Sequence, residues 1–459
     1  MPEKVVLIGA GSAMFTRGLT ADFLQRDWDA QLALVDLQPE ALAVAEGLTR
    51  KMLQARKSKV KLTASTDRRS VLKGATAVIC TIGVGGRRAW EQDVFIPRKY
   101  GVFQPVGDSV MPGGASRSLR MIPAMVDIAK DILDLAPTAL FFNYGNPMTT
   151  VCRGVRKATG ANIIGLCHGV NHVGSYLAGV LDAPREAFQY TAVGLNHLTW
   201  FVEAGVRGGD AMPRLREIAG RRASASVDAA ELGARFAEAG TAPGAEVARD
   251  NPFSWQLCAL FGAFPAVLDR HVCEFFPQFF STGKYYGKTL GVDCYSFEQT
   301  IAYGDREYDE MRKMALSSQP LSQDYFDKLG GEHEQALDIL ESIRGNDSRV
   351  YSVNLPNRGR VPELPEEAVL EGPALATGGT LRPVAVPPLS SGVAGILAGR
   401  LACAETIVDA ALEGSREKFI QALLLDGSIR SLEAAAKLAD ELLAAQAAFL
   451  PQFKPGQPR

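Results

Sequence analysis

The sequence predicts an α/β protein, with an N-terminal doubly wound parallel sheet and a second half of α+β character. Three observations carry this. Short apolar, β-rich runs recur at 5–8, 32–35, 60–63, 77–82, 139–142 and 163–166. Stretches of helical period separate most of them, and near-continuous apolar strands spaced by helices imply a parallel sheet covered on both faces. The alternation then stops near residue 185. A chain of 459 residues is too long for one simple core, so two units are expected, residues 1–185 and 186–459.

The later elements follow in order. A strand-like run at 190–194 leads into GLNHLTWFVEAGV, a strand entering a mixed region. Residues 207–250 are rich in Ala, Arg and Glu and read as surface helices. Residues 345–390 are rich in Pro and Gly and read as loop with short strands, VYSVNLPN among them. Residues 391–450 carry Ala and Leu at helical period and predict two or three long helices. FKPGQPR is expected to be a frayed tail.

Composition narrows the functional classes. Hydrophobic residues make up 47% and charged residues 22%, with a formal charge of −2. That balance gives no electrostatic handle on nucleic acid or an anionic membrane. The apolar start, VVLIG, has strand length and lacks the features of a signal peptide. A cytoplasmic protein without membrane or nucleic-acid partners is expected. Seven scattered cysteines without a CxxC pair predict free thiols and no structural zinc.

The first strand runs into Gly9, Ala10, Gly11 and Ser12, followed by a helix pattern. Glycines there allow a tight turn and close approach of a pyrophosphate, and the helix N-terminus supplies free N–H groups. Met14 stands where the usual fingerprint has a third glycine. Asp36 ends the second strand, where a carboxylate accepts the ribose hydroxyls and repels a 2′-phosphate. The pattern is that of a Rossmann domain binding NAD in preference to NADP. A second glycine turn around Gly83 ends the fourth strand and offers a further place along the cofactor. The plain alternative is a βα turn with a helix-capping Asp.

Open α/β sheets bind ligands at the carboxyl ends of their strands, and three polar motifs fall there. Asn143-Tyr144-Gly145-Asn146-Pro147 follows the fifth strand. Cys167-His168-Gly169-Val170-Asn171-His172 follows the sixth, and Gly194-Leu195-Asn196-His197 the next. A thiolate and an imidazole at neighbouring strand ends can hold a divalent metal with open positions for substrate. A buried cysteine and a capping histidine are the structural alternative. In Gly107-Asp108-Ser109-Val110-Met111-Pro112, Asp108 could bind or deprotonate a substrate, or simply close a turn. Arg117 and Arg120 could face the site or solvent.

These residues together resemble a known family. The GAGS turn, GDSVMPGGASRSLR, NYGNPM, CHGVNH, GLNH, FGAF…HVCEFFP, VNLPNRG and the VPPL-plus-helices tail look like the NAD- and metal-dependent glycosidases of glycoside hydrolase family four, in order from residue 5 to about 445. The resemblance implies a fold of the lactate/malate dehydrogenase type and hydrolysis by a redox route, an exception among glycosidases. NAD would take hydride from sugar C3, and a base would remove the acidified C2 proton. The glycosidic oxygen would leave, water would add, and hydride would return.

Carried over position by position, Cys167 and His197 match metal ligands, with manganese the usual ion. His168 matches the place of a general acid, and Asn146 and Asp108 match substrate-contacting positions. The C2 base would lie in the stretch SWQLCALFGAFPAVLDRHVCEFFP, where Ala263 replaces an aromatic; Asp269, His271 and Glu274 are the candidates. Gly169, the residue after Cys-His, resembles members acting on α-linked uronic acids, glucuronides or galacturonides. Arg117 would then bind the carboxylate. A homodimer or homotetramer is implied, with a small-molecule glycoside as substrate. A neutral α-glucosidase or α-galactosidase is the alternative within the family, and a 2-hydroxyacid dehydrogenase the alternative outside it.

Overall fold

A computed structural model describes residues 3–26, 28–224, 227, 251–329 and 335–454. Fifteen strands appear among them: β1 (Glu3–Ile8), β2 (Ala30–Val35), β3 (Lys61–Ser65), β4 (Ala77–Cys80), β5 (Leu140–Asn143), β6 (Ile163–Gly165), β7 (Phe188–Leu195), β8 (Leu198–Val206), β9 (Gly209–Asp210), β10 (Phe264–Ala266), β11 (Lys284–Tyr285), β12 (Lys288–Thr289), β13 (Val350–Pro356), β14 (Val369–Thr377) and β15 (Thr380–Pro383). The first six run parallel in the order β3-β2-β1-β4-β5-β6. This is the doubly wound order expected of a dinucleotide fold.

Alternation along β1 shows why both faces need cover. Val5 and Leu7 enter one apolar core, Val6 and Ile8 the other, because successive side chains point to opposite faces. Helices fill both sides. The 25-residue helix Met111–Leu135 lies on one, with Leu119, Ile122, Met125 and Ile132 buried.

The second half departs from its sequence reading in one respect. The strand reading at 190–206 holds, but β7 and β8 form an antiparallel hairpin, with Asn196 and His197 as its two-residue turn. The supposed loop at 345–390 contains β13 and the nine-residue β14, and both pair inside the main sheet. β13 joins β6 and β14 joins β7, so one sheet continues from the parallel half to the hairpin. The run VYSVNLPN, which reads as a short strand, forms β13, whereas Pro373 within β14 hid that strand.

The tail forms three helices, Ser391–Glu413, Arg416–Asp426 and Leu432–Ala445, each opened by a serine whose hydroxyl accepts an N–H of the first turn. The first is long and apolar enough to cross a membrane by length and composition. Its Cys403, Ile407 and Val408 join the same core as Met125 and Ile132. Of the surface helices expected at 207–250, Met212–Ser224 is present; residues 225–226 and 228–250 lie outside the described residues. All seven cysteines are free thiols.

Candidate active site

At the carboxyl end of β1 the chain turns sharply. Gly9 has φ +90°, and a Cβ there would lie 2.8 Å from the Ile82 nitrogen, so only glycine passes between β1 and β4. The Gly9 and Ala10 N–H groups bond the Val35 carbonyl, and Ser12 N–H closes back on Gly9 O. Gly11 N–H donates to Asp36 Oδ2 at 2.9 Å, and Gln38 N–H to Asp36 Oδ1 at 2.9 Å. Asp36 thus caps backbone amides as the plain reading foresaw. A carboxylate still offers further lone pairs on both oxygens. The helix begins at Thr16, just after the turn, as the pattern suggested. Gly83 is exposed beyond β4, and a Cβ on it would lie 3.4 Å from Arg117 Nη2. The turn at 9–12, Asp36 and Gly83 fit an extended dinucleotide laid across these strand ends.

Next to this groove a polar chain connects five residues. Arg117 Nε donates to the Asn146 carbonyl at 3.0 Å, and Asn146 Nδ2 donates to Asp108 Oδ2 at 2.8 Å. Ser109 Oγ donates to Asp108 Oδ1 at 2.8 Å and lies 2.9 Å from His197 Nδ1. A hydroxyl has one proton to give. With that proton on Asp108, Ser109 must accept from His197 Nδ1–H, which leaves the Nε2 lone pair of His197 free. A neutral imidazole oriented through its other nitrogen is the usual preparation of a metal ligand. Burial, followed by the Arg270 charge and opposed by Asp108, keeps the His197 pKa below its ordinary value.

His271 stacks obliquely on His197, ring centres 4.3 Å apart. Burial first, then the His197 and Arg270 charges, hold it well below the ordinary histidine range, and its Nδ1 has no hydrogen-bond partner. Ligand atoms of Asp108, His197 and His271 all lie within 4.8 Å of one another. One carboxylate and two neutral imidazoles suit a divalent ion of the manganese type. Cys167 is not in that trio. Its sulfur accepts from Gly169 N–H at 3.4 Å, with the Asn196 side chain nearby. Burial, with Glu371 and Asp108 nearby, pushes its thiol up to about 12. A bound cation would be needed to ionise it. His168 caps the helix Gly169–Val180, stacked between Tyr144 and His172, and is also outside the trio.

Two candidate bases and one arginine are corrected here. Asp269 is fully buried and accepts from Phe253 N–H, Ser254 N–H, Ser254 Oγ and Tyr285 Oη at 2.5–2.9 Å. It ties down the start of helix Pro252–Phe261 and has no face toward a substrate, although burial raises its pKa to about 6. Glu274 is likewise buried and holds Val106 N–H and Gly107 N–H at 2.8 Å, shaping the loop before Asp108. Of the three base candidates only His271 reaches the site. Arg120 faces neither site nor solvent: it forms a fully buried pair with Asp93. The sequence spacing showed none of this, because the partners lie 15 to 168 residues away.

Burial raises the Glu274 pKa to about 8 from an ordinary 4.5. The folded state therefore keeps a proton that the unfolded chain releases. The linked stability is complete below about pH 4.5 and disappears as pH rises through 8. Glu274→Gln retains the acceptor for both amides and removes the titration. Its thermal midpoint is expected to match the parent at pH 5 and exceed it at pH 8.5. Parallel pH profiles for the two proteins would exclude this linkage.

Comparison with known proteins adds the decisive observation. Residues 4–183 match the model of the family 4 glycosyl hydrolases, and residues 192–429 match the C-terminal domain of that family. The chain belongs to family 4 of the glycosyl hydrolases. Among family 4 relatives, the α-glucosidase of Erwinia rhapontici is 30% identical, covering 99% of this chain and all of that protein. The α-galacturonidase of Bacillus subtilis is also 30% identical, covering 92% of each chain. A crystal structure of a 6-phospho-α-glucosidase from gut microorganisms, in complex with NAD and Mn2+, shares the fold with a TM-score of 0.79 at 19% identity, over 99% of this chain and all of that one. Membership in this glycosidase family displaces the dehydrogenase alternative.

Proposed function

We propose that this family 4 glycosyl hydrolase cleaves α-linked uronides, glucuronides or galacturonides, with NAD and manganese. The observation that carries the substrate class is Arg117. Its guanidinium lies against Trp90, 5.6 Å from the ring centre, and its pKa is lowered by burial and by Arg120. Among the described residues no carboxylate comes within ion-pair distance of it. Asp108 and Asp93 offset its burial only in part. A desolvated cation without a direct ion pair is costly, and a substrate carboxylate would supply one. The α-galacturonidase relative supports the same class. Gly169 adds little, because a Cβ there would lie 2.3 Å from a Val267 methyl, so packing alone demands glycine.

The turn at 9–12, Asp36 and Gly83 would hold NAD, which would supply a hydride acceptor and donor. Asp108, His197 and His271 would hold a metal, which would supply stabilisation of developing negative charge on the sugar. Burial keeps His197 neutral against the pull of Asp108. Asp108, held by Asn146 and Ser109, turns the ring through Ser109 so that Nε2 would be presented to the ion. His271, whose Nδ1 has no hydrogen-bond partner, would complete that face, with Cys167 the further ligand that the family resemblance implies. The structural relative solved with NAD and Mn2+ supports that choice of cofactor and metal.

The test is a set of nitrophenyl α-glycosides, uronic and neutral, assayed with NAD, Mn2+ and a thiol reductant. Higher kcat/KM on a uronide is expected, along with NAD and metal dependence. Arg117→Met should lose on the order of 10²-fold on the uronide, from the 2–5 kcal/mol value of a buried charge pair, and far less on the neutral sugar. A parent enzyme that prefers α-glucoside or α-galactoside would overturn the uronide reading.

A further inference from the structure

Glu371 lies in the middle of the sheet and is fully buried. It stands at the join between the two halves, opposite Asn354 of β13 on one side and Gly194 of β7 on the other. Its Oε2 accepts from Asn196 Nδ2 at 3.0 Å and lies 3.4 Å from Thr199 Oγ1. Asn196 is the hairpin-turn residue immediately before His197, and its side chain also lies near the Cys167 thiol. Asn196 Oδ1 has no partner, so the amide nitrogen is the working end. It has two hydrogens, one for each neighbour.

The arrangement links elements that are not adjacent. Cys167 follows β6 and His197 follows β7, with β13 and β14 between them. At about 4.8 Å per strand the two backbones are roughly 14 Å apart. Asn354 Nδ2 reaches the Gly165 carbonyl of β6 at 3.4 Å. The side chains of Asn354, Glu371 and Asn196 therefore run beneath the site from the Cys167 strand to the His197 turn. Among the polar neighbours of this buried carboxyl are Asn196, Thr199 and Arg360. Its position under Asn196 is what gives it a use.

We propose that Glu371 is a positioning residue: it holds the Asn196 amide so that the second N–H fixes the Cys167 sulfur beside His197, and so sets the metal affinity of the site. This rests on the metal-dependent reading of the site given above. Groups that orient metal ligands typically account for 10–100-fold in affinity.

The experiment measures Mn2+ binding by calorimetry and the thiolate-to-metal charge-transfer absorption of the Co2+-loaded protein, with NAD affinity alongside. Glu371→Met, similar in length but unable to accept, is expected to weaken Mn2+ binding 10–100-fold and to shift or diminish the cobalt band, with NAD binding unchanged. Glu371→Gln keeps an acceptor for Asn196 and should bind Mn2+ close to the parent. A merely structural role would lower thermal stability without separating the two variants in metal affinity. If Glu371→Met does not fold, Asn196→Asp carries the test, since a carboxylate cannot donate to both neighbours; the same loss is expected. Parent-like Mn2+ affinity and cobalt absorption in Glu371→Met, or in Asn196→Asp, would overturn the positioning role. A parent protein that binds no Mn2+, or a Cys167→Ser variant that keeps the cobalt band, would instead sink the metal reading on which it rests.

Discussion

Replacing His197 by asparagine is expected to lower glycoside cleavage by about 10³-fold or more while leaving NAD affinity nearly unchanged. His197 adopts φ +68° in the hairpin turn, a left-handed conformation that asparagine tolerates better than most residues. The substitution therefore keeps the turn and removes the imidazole. What is lost is the Nε2 lone pair offered to the cation and the hydrogen bond to Ser109. Charge stabilisation by a bound metal amounts to several kcal/mol, and each 1.36 kcal/mol is tenfold in rate. Mn2+ titration should show weaker binding, and nicotinamide fluorescence should show cofactor binding intact. Activity within tenfold of the parent would remove His197 from the metal's ligands. Cys167→Ser should behave alike in direction if the thiol is a ligand of the same ion, as the family resemblance implies.

The second large effect concerns stability. Arg120→Leu is expected to destabilise the protein by about 3–5 kcal/mol, the usual consequence of leaving one buried charge without its partner. Both side chains of the Asp93–Arg120 pair are completely inaccessible, and the guanidinium bonds both carboxylate oxygens. Ser116 Oγ donates to Asp93 at 2.8 Å, and Gln446 Nε2 reaches it at 3.1 Å. Asp93 belongs to helix Gly86–Arg98, Arg120 to Met111–Leu135, and Gln446 ends Leu432–Ala445. The pair therefore fastens three helices at one point. Burial already raises the Asp93 pKa against the pull of Arg120; without the arginine the carboxyl would take up a proton. The urea midpoint of Arg120→Leu should fall sharply, and Asp93→Leu combined with Arg120→Leu should recover much of the loss. A single variant as stable as the parent would show that the pair contributes nothing.

Local chemistry explains which features were legible in the sequence. The nucleotide turn was readable because a GxG between an apolar run and a helix pattern is a contiguous signal, and Asp36 ends the adjacent strand. The six parallel strands were readable for the same reason. Asn146, Asp108 and His197 were each flagged at a strand or turn end; Asn146 bonds Asp108 directly, and Ser109, a residue no pattern singled out, joins Asp108 to His197. His271, Asp269 and Glu274 sit within six residues of one another, and sequence spacing could not say which faced inward. Ser254 and Tyr285 claim Asp269, Val106 and Gly107 claim Glu274, and His271 remains. Arg120 and Asp93 were opaque too, since nothing near either in sequence marks them as partners. β14 was missed because a proline within it masked its period.

The continuous sheet has a consequence for how the chain reaches its native state. A polypeptide ending near residue 185 would leave β6 as a bare edge, open to pairing with another copy. It would also lack Cys403, Ile407 and Val408, which cover the apolar flank of Met111–Leu135 from more than 200 residues further on. During synthesis the nucleotide-binding portion must therefore wait for the last hundred residues before its core is sealed. Contacts of such long sequence separation form slowly, and the growing chain passes through an extended interval in which self-association competes with folding.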